Sequence, residues 1–216
     1  MQTVTAAAAD ERTFEFWYDF ASPYSYLAAM RLDRVVPSPP YRVLWTPFML
    51  GPLLKRRGPG APDVQAASPA EAAYRRRDVE RSCADEGIPL TWPSTYPRGS
   101  LLATRVALVA GDDGWCDRFT RAVFRANFVE DQDIGATEVV ASVVRQLKRD
   151  VDDVLSRATA PVNKARLVQR TEEASRRGVF GAPTLVHAPT GELFWGNDRL
   201  ERAVQWTSRR GGEKSC

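Results

Sequence analysis

The segment from Phe14 to Met30 contains the feature that most restricts the fold of this chain, a β-strand that passes directly into an α-helix. Aromatic, alternating residues from Phe14 to Tyr18 are typical of a buried strand, whereas the Leu, Ala, Met and Arg that follow favour a helix. Ser22 lies at the junction and Pro23 in the first helical turn, where a proline loses no hydrogen bond. The pattern therefore predicts Ser22 as the N-cap of the first helix.

The same helix start has a second interpretation. A helix N-terminus offers unpaired N–H groups and the positive end of the helix dipole, so it can hold an anion such as a thiolate, a carboxylate or a phosphate. The hydroxyl of Ser22 could then take part in binding. A plain N-cap is the simpler interpretation, and the residues of this segment do not decide which anion would be held.

The composition is that of a globular chain with one large domain, or one domain with a sizeable insertion. The chain has 216 residues, of which 44% are hydrophobic and 26% charged, and no apolar run is long enough to span a membrane. The formal net charge of +3 is dispersed, and arginine runs such as Arg75–Arg77 have acidic neighbours, so we expect solvated helix faces rather than a nucleic-acid site. The N-terminus lacks the features of a secretory signal, so we expect a cytoplasmic protein without a membrane partner.

Cysteine and histidine are too few and too scattered for a disulfide framework or a zinc site. Cys83, Cys116 and Cys216 form no Cys-x-x-Cys motif, and His187 is the only histidine. We expect Cys83 to face a helix core. We expect His187 to lie on a strand without a catalytic role.

After the first helix, the pattern predicts a βαβ unit that leads into a helical block. The first helix should end at about Val35, and Tyr41 to Thr46 alternates as a strand does. Pro47 to Leu54 is interpreted as a turn, and Arg57 to Pro62, rich in glycine and proline, as a mobile loop. Helical periodicity resumes from about Pro69.

The helical block is predicted from apolar residues at helical spacing. Its first helix should end at Gly87, and after an extended segment Leu101 to Ala110 predicts a buried helix. Two further helices, from about Asp152 and from Pro161 to Arg177, complete the block. The residues expected to face the core are Ala72, Ala73, Val79, Cys83, Trp115, Phe119, Val123, Ala126, Val139, Val140, Val143, Val144 and Leu147.

Strands return near the C-terminus. Thr184 to Ala188 and Glu192 to Trp195 predict a hairpin, followed by a last helix from Asp198 to Trp206 with Asp198 as its N-cap. The order β, α, β, helical block, β, β, α is that of an α/β thioredoxin-like fold with a large all-helical insertion. We assign residues 14–47 and 178–207 to a thioredoxin-like domain, 48–177 to the insertion domain, and 1–13 and 208–216 to disordered tails.

In a thioredoxin-like fold, the first junction between strand and helix is the reactive corner. Disulfide chemistry there needs a thiolate of low pKa and usually a second thiol, as in Cys-x-x-Cys. The four residues of this chain are Ser22-Pro23-Tyr24-Ser25, which contain no sulfur. Disulfide exchange at this corner is therefore excluded, whereas the helix start is suited to hold the thiolate of another molecule.

Two further motifs have open interpretations. Ala182-Pro183-Thr184 is a context for a cis peptide bond that exposes backbone groups to an extended ligand, and a proline that begins an edge strand is an equally good interpretation. Asp198 and Arg199 place a carboxylate and a guanidinium at a helix start, where a plain N-cap with a surface arginine is the commoner case. Lys55 is uninformative by itself.

Four segments together resemble the 2-hydroxychromene-2-carboxylate isomerases, relatives of the kappa-class glutathione transferases within the DsbA-like thioredoxin superfamily. The segments are Asp19 to Ala28 (DFASPYSYLA), Pro47 to Pro52 (PFMLGP), Gly178 to Thr184 (GVFGAPT) and Leu193 to Leu200 (LFWGNDRL). The resemblance covers Phe14 to Trp206. It implies glutathione as the cofactor, a small aromatic substrate and a homodimer.

The resemblance also implies roles for individual residues. Ser22 matches the catalytic serine of the family, whose hydroxyl contacts the glutathione sulfur. Ala182, before the expected cis-Pro183, would pair its backbone with the cysteinyl part of glutathione. Asp198 and Arg199 match the positions that hold the γ-glutamyl end.

The remaining implications concern the glycyl end of glutathione and the aromatic substrate. Lys55 resembles a lysine near the glycyl end. Residues 57–69 and 96–100 should lie near the aromatic substrate, and Gly99 stands where an asparagine is common in the family. The implied reaction is reversible addition of the glutathione thiolate to a conjugated double bond, with rotation about the resulting single bond.

Three functions stay open at this point, and a fourth is the weakest. The first is the isomerase, and the second is a glutathione transferase that acts on another electrophile with the same thiolate chemistry. The third is a non-catalytic module that binds glutathione or a peptide. A disulfide oxidoreductase is the weakest, because the corner has no cysteine.

Overall fold

Four strands and nine α-helices make up the part of the chain that the structure describes. The computed structural model describes residues 11–55 and 68–213. The elements are β1 (Thr13–Tyr18), α1 (Pro23–Val35), β2 (Arg42–Pro47), α2 (Leu50–Lys55), α3 (Pro69–Asp85), α4 (Leu101–Asp112), α5 (Cys116–Phe128), α6 (Thr137–Gln146), α7 (Val151–Thr159), α8 (Pro161–Arg176), β3 (Thr184–His187), β4 (Leu193–Trp195), a 3-10 helix (Asn197–Arg199) and α9 (Leu200–Glu213). The predicted order of elements is confirmed.

The strands form one mixed sheet in the order β2-β1-β3-β4. β1 runs parallel to β2, with Phe16 opposite Trp45, so α1 is the crossover of a βαβ unit, as predicted. β3 pairs antiparallel with β1 and with β4. Because β3 is an inner strand, the interpretation of Pro183 as the start of an edge strand is wrong.

Both faces of β1 are covered by helices. Phe16 and Tyr18 belong to the main core, which also contains residues of α1, α3 to α7 and α9. Trp17 points to the opposite face and packs with Phe48, Leu53, Ala174 and Val186. The strand can be aromatic at consecutive positions because neither face meets water.

The main core joins the two segments that the sequence analysis treated as domains. Phe20, which follows β1, lies against Phe124 of α5, with ring centroids 5.2 Å apart. The predicted apolar stripes of α5 and α6 are confirmed in this core, with Val139 and Leu147 partly buried at its edge. The division into a thioredoxin-like domain and an insertion domain at residues 48 and 178 stays a prediction.

One predicted turn is a helix. Pro47 to Leu54 was expected to turn through Gly51-Pro52, but α2 begins at Leu50. The Leu50 N–H donates to Asp19 Oδ2 at 2.7 Å, which satisfies a free donor of the first turn. Pro52 lies in that first turn, where its missing N–H costs nothing. The loop predicted at Arg57 to Pro62 lies outside the described residues.

The predicted core face of α3 is only half correct. Val79 and Cys83 are buried, but Ala72 and Ala73 are exposed. The helix begins with a capping box between Ser68 and Glu71, and its buried residues lie in its second half. Helical periodicity identifies a face, and only the neighbouring elements decide where along the helix that face is covered.

Regular elements extend into both segments that were assigned to the tails. At the N-terminus β1 begins at Thr13, which is buried, and the Arg12 carbonyl accepts the Arg42 N–H at 2.9 Å. At the C-terminus α9 continues to Glu213, and the Ser208 hydroxyl lies 2.9 Å from the Tyr41 hydroxyl. Residues 1–10 and 214–216 lie outside the described part of the chain.

The described residues contain neither a helix suited to span a membrane nor a cluster of metal-binding side chains. No helix within 11–55 or 68–213 combines the length and the apolar character needed to cross a bilayer. Over the same residues, no three His, Cys, Asp or Glu side chains cluster so that they could hold a metal ion. His187 lies buried in β3 as a strand residue, with Nδ1 2.8 Å from Thr190 Oγ1 and Nε2 2.7 Å from the Glu11 carbonyl.

Candidate active site

Ser22 caps α1 as the sequence predicts. Its backbone is extended, with φ −88° and ψ 117°, and its Oγ accepts the Ser25 N–H at 3.1 Å. Pro23 follows at the first helical position. The first turn of α1 contains no acidic residue, so the positive end of the helix dipole is not neutralised by the helix itself.

The cap hydroxyl also reaches the loop before β3. The Ala182–Pro183 peptide bond is cis, which agrees with the interpretation of this motif as a cis-proline loop. Ser22 Oγ donates a hydrogen bond to the Ala182 carbonyl at 3.1 Å. These residues are 160 positions apart in the chain. The fold therefore brings two of the motifs singled out in the sequence into direct contact, at a site where Ser22 and Ala182 are 7% and 9% exposed.

The turn that carries Asp198 and Arg199 is tied to the same loop. The Gly196 N–H donates to the Pro183 carbonyl at 3.0 Å. Gly196 has φ +114°, and a Cβ there would lie 2.5 Å from Asp198 Oδ1, so this turn requires glycine. Trp195 lies so close to Gly181 that a Cβ at Gly181 would overlap the indole ring.

The prediction that Asp198 is a helix N-cap is wrong. Asp198 lies inside the 3-10 helix that precedes α9, and no side chain caps that helix. Its Oδ2 is instead 2.6 Å from Nη1 of Arg199. Both side chains are exposed, 70% and 55% respectively, so they present an ion pair to solvent beside the cis-proline loop.

Arg31 was missed by sequence reasoning and anchors this turn to α1. The residue is 7% exposed, and its Nη1 donates to the backbone carbonyl and to Oδ1 of Asn197, each at 2.9 Å. The guanidinium also pairs with Glu201 and, at 2.8 Å, with Glu86. A signal was present, because Arg31 is four residues after the buried Leu27 and so lies on the apolar face of the helix.

Asp19 is a second residue whose role was missed. Its carboxylate is buried and accepts the N–H of Ala21 at 2.8 Å, the N–H of Leu50 at 2.7 Å and the Ser100 hydroxyl at 3.4 Å. Burial raises the pKa of Asp19, and these hydrogen bonds oppose the shift. The signal was a carboxylate directly after a buried strand. Asp19 holds the starts of α2 and α4 against the corner.

A known protein family has a sequence model that matches most of this chain. A family model described as the DSBA-like thioredoxin domain matches residues 13–205. The chain belongs to this family. The matched range contains the corner at Ser22, the cis-proline loop and the turn before the last helix. The family resemblance stated above is confirmed.

The relatives include isomerases and transferases. A 2-hydroxychromene-2-carboxylate isomerase of Sphingobium xenophagum is 25% identical over 190 residues, which cover 88% of this chain and 95% of the relative. Glutathione S-transferase kappa 2 of Caenorhabditis elegans is 26% identical over 216 residues, with coverage of 91% and 92%. These names indicate that the DSBA-like chain is an enzyme of an isomerase-like or glutathione-transferase-like kind.

Solved structures agree with the fold. A 2-hydroxychromene-2-carboxylate isomerase superposes with a TM-score of 0.79 at 26% identity, covering 94% of this chain and all of the other. The cytosolic disulfide reductase DsbM of Pseudomonas aeruginosa, solved with GSH, has a TM-score of 0.63 at 16% identity, with coverage of 94% and 100%. The second similarity shows the fold alone.

In this DSBA-like chain the corner has no thiol, and the cysteines within the described residues are buried. Burial raises the pKa of the Cys83 thiol to about 11 and that of Cys116 to about 11. Neither would provide a thiolate near neutral pH. The corner can supply a hydroxyl, backbone groups and a helix dipole, which suit the binding of an anionic sulfur carried by another molecule.

Lys55 is the one candidate residue that the described structure does not bring to the corner. It is exposed at the end of α2, and no contact joins it to Ser22, Ala182 or Asp198 within residues 11–55 and 68–213. Its predicted role near the glycyl end of glutathione stays a prediction.

Proposed function

We propose that this chain is a glutathione-dependent cis-trans isomerase of the 2-hydroxychromene-2-carboxylate isomerase type, which interconverts a chromene carboxylate and a trans-hydroxybenzylidenepyruvate. The observation that carries the proposal is the hydrogen bond from Ser22 to the Ala182 carbonyl, which sets a helix-cap hydroxyl against the backbone of the cis-proline loop. The isomerases of Sphingobium xenophagum and Pseudomonas putida, 25% and 26% identical, support this type of reaction.

The residues around the corner fit a thiol tripeptide. Over the residues that the structure describes, no group accepts a hydrogen bond from the Ala182 N–H, so this donor can pair with an extended cysteinyl residue. Asp198 offers a carboxylate for the ammonium of the γ-glutamyl group. Arg199 offers a cation for the carboxylate of the γ-glutamyl group, whereas Lys55 would have to reach the glycyl carboxylate from the end of α2, away from the corner.

When bound, glutathione supplies a thiolate that adds reversibly to the conjugated double bond of the ring-opened substrate, so that the bond can rotate before the thiol leaves. Ser22 must release the Ala182 carbonyl by rotating its hydroxyl toward the sulfur, because a hydroxyl donates only one hydrogen bond. The start of α1 adds its dipole. The backbone of Ala182 fixes where the sulfur lies.

The energetics require Ser22. An ordinary thiol has a pKa of about 8.5, and lowering it by about two units, so that thiolate dominates at pH 7, takes ~2.7 kcal/mol. A helix dipole supplies roughly 0.3–2 kcal/mol. A hydrogen bond to a charged acceptor contributes about 1.5–3 kcal/mol, so the hydroxyl of Ser22 provides the remainder.

The deciding experiment compares Ser22→Ala with the wild type. We expect the variant to lose about 10²-fold or more in kcat with purified chromene substrate and glutathione, while glutathione binding changes little, because a donor to the reacting sulfur is lost. The pKa of bound glutathione, read from thiolate absorbance against pH, should move upward in the variant.

Ser25→Ala is the matched control. Ser25 belongs to the same four-residue corner and is fully buried, but its hydroxyl has no hydrogen-bond partner among the described residues. Turnover by Ser25→Ala should therefore stay close to that of the wild type. If Ser22→Ala isomerises the substrate at the wild-type rate, the proposed role of Ser22 is wrong.

A kappa-type glutathione transferase is the second candidate, because the Caenorhabditis elegans relative covers 91% of this chain. The same corner would then bind an electrophile that stays covalently attached to the glutathione sulfur in the product. Product analysis decides between the two, since an isomerase returns free glutathione and a transferase consumes it. The cytoplasmic location and the homodimer stay predictions in either case.

A further inference from the structure

Trp195 presents an exposed indole ring directly beside the cis-proline loop. The residue ends β4, where it is paired with Thr184 of β3, and it is 52% exposed. The indole lies against Gly181, where a Cβ would come within 2.3 Å of Nε1 of Trp195. Gly181 immediately precedes Ala182, whose carbonyl accepts the Ser22 hydroxyl. Contacts therefore place the ring one residue away from the group that meets Ser22.

Neighbouring groups hold the indole in this position. The ring centroids of Phe180 and Trp195 are 4.8 Å apart, at an interplanar angle of 58°. Gly196, the next residue after Trp195, donates its N–H to the Pro183 carbonyl at 3.0 Å. The ring is thus fixed relative to the cis-proline loop. A surface that is already ordered loses little conformational entropy when a ligand packs against it.

The part of the indole that faces solvent is available to a ligand. In the part of the chain that the structure describes, no atom accepts a hydrogen bond from Nε1 of Trp195, and Phe180 supplies the one ring in contact with it. The preceding residue, Phe194, is buried on the other side of β4 and packs against Trp206, with ring centroids 5.6 Å apart. The core of the sheet therefore uses Phe194, and the indole of Trp195 lies outside that core.

We propose that the exposed indole of Trp195 binds the aromatic ring of the electrophile that adds to the glutathione sulfur, so that the site prefers sulfur substituents that carry an aromatic ring. The inference rests on the proposed function for the presence of glutathione, and it adds a residue that selects the class of substrate. This surface is separate from residues 57–69 and 96–100, which the family resemblance implies for the aromatic substrate.

The geometry brings the substituent to the indole. Under the proposed function, the sulfur lies at the Ser22 hydroxyl and the cysteinyl backbone pairs with Ala182. A ring attached to that sulfur starts from this point, and the Trp195 indole covers the adjacent Gly181. Two aromatic rings attract each other in offset-stacked or edge-to-face arrangements and bury apolar surface on contact.

The test uses a matched pair of ligands, S-benzylglutathione and S-methylglutathione. The two share the tripeptide, so the ratio of their affinities isolates the contribution of the ring. Titration calorimetry with the full chain measures this ratio. We expect the wild type to bind S-benzylglutathione about tenfold more tightly. Trp195→Ala should bind both ligands about equally, and Trp195→Phe should keep part of the preference.

Leu44→Ala is the control. Leu44 is another large exposed apolar side chain, 36% exposed, on β2 at the opposite edge of the sheet from β4. This variant should show the wild-type ratio. Trp195→Leu keeps an apolar side chain over Gly181 without an aromatic ring, and it should also reduce the ratio. This second variant decides the question if Trp195→Ala does not fold.

Two results would overturn the inference. The first is a wild type that binds both derivatives equally. The second is a Trp195→Ala or Trp195→Leu variant that is folded by circular dichroism and keeps the full ratio. If Tyr96→Ala abolishes the ratio in that case, the ring lies at residues 96–100 instead.

The two proposals fail in different ways. If the wild type binds neither derivative, the proposed use of glutathione fails and the inference fails with it. If both derivatives bind equally and glutathione-dependent isomerisation is present, only the inference about Trp195 fails. A preference for S-benzylglutathione that depends on Trp195, without isomerisation of the chromene substrate, would contradict the proposed reaction and support the ring contact.

Discussion

At the scale of single residues, the corner depends on two buried polar side chains with different tasks. Ser22 uses its one donor on the Ala182 carbonyl and one lone pair on the Ser25 N–H, and it can exchange the first for a ligand. Asp19 cannot exchange its contacts, because it satisfies the Ala21 and Leu50 N–H groups. The proposed function gives Ser22 a chemical role, whereas the hydrogen bonds of Asp19 hold backbone groups in place.

Asp19→Asn should destabilise the protein by about 1–3 kcal/mol, because an amide NH₂ would face one of the two N–H donors that now meet a carboxylate. Urea unfolding at pH 7 measures this difference. A variant as stable as the wild type would show that these hydrogen bonds contribute nothing to folding.

The pH dependence of that difference follows from the raised pKa of Asp19. Burial makes the folded protein hold this proton at pH values where the unfolded chain has already lost it. The stability that the group contributes is therefore complete at low pH and is lost as pH rises through the raised pKa. The difference in unfolding free energy between the wild type and Asp19→Asn should become smaller as pH rises above the ordinary pKa of aspartate. A difference that grows with pH would contradict a raised pKa for Asp19.

At the scale of elements, the 3-10 helix before α9 owes its position to α1 and the cis-proline loop. Arg31 bonds the Asn197 carbonyl and side chain, and the Gly196 N–H bonds the Pro183 carbonyl. One side of the turn is thus fixed to α1 and the other to the start of β3. This leaves the neighbouring Asp198 and Arg199 exposed and held beside the corner.

Arg31→Met should raise the KM for glutathione about tenfold or more and leave kcat within a few-fold, because the residue positions the turn and does not touch the reacting sulfur. The loss of buried hydrogen bonds should lower stability by about 1–3 kcal/mol. Steady-state kinetics with varied glutathione separates the two kinetic effects.

Arg34→Met is the control for this prediction. Arg34 also pairs with Glu86 but is 61% exposed, and no hydrogen bond joins it to Asn197 in the described residues. Its KM for glutathione should match that of the wild type. An equal rise in both variants would assign the effect to Glu86 rather than to the turn.

At the scale of the whole molecule, the protein is a DSBA-like fold whose reactive corner has no sulfur of its own. Cys83 and Cys116 are buried in the main core, and each thiol has a pKa raised to about 11 by burial. Within residues 11–55 and 68–213, neither cysteine therefore offers a thiolate near neutral pH.

This arrangement predicts the reactivity of the cysteines. In a Cys216→Ser variant, Cys83 and Cys116 should react with a thiol reagent such as Ellman's reagent only after unfolding. In the folded protein both thiols are protonated near neutral pH and are buried away from the reagent. Labelling with and without urea measures this, and the same protein should not reduce insulin with dithiothreitol. Rapid labelling in the absence of urea would show that a cysteine is accessible in the folded state.

Much of the architecture follows from local patterns. The aromatic run of β1, the Ser22-Pro23 start of α1 and the apolar stripes of α5 were predicted because spacing and capping depend on neighbours in the chain. The predictions from sequence were wrong where a residue distant in the chain determines the local structure. The start of α2 depends on the hydrogen bond from the Leu50 N–H to Asp19. The exposure of Ala72 and Ala73 depends on which elements pack against the first turns of α3.

The sequence by itself determined the fold class, the absence of a corner thiol and the residue types that could bind a thiol tripeptide, because these depend on residue identity and on periodicity along the chain. Only the tertiary structure decided that Ser22 touches Ala182 and that Arg31 holds the turn that contains Asp198. These contacts join positions up to 166 residues apart. Their formation depends on how helices and strands pack, which no local pattern in the chain specifies.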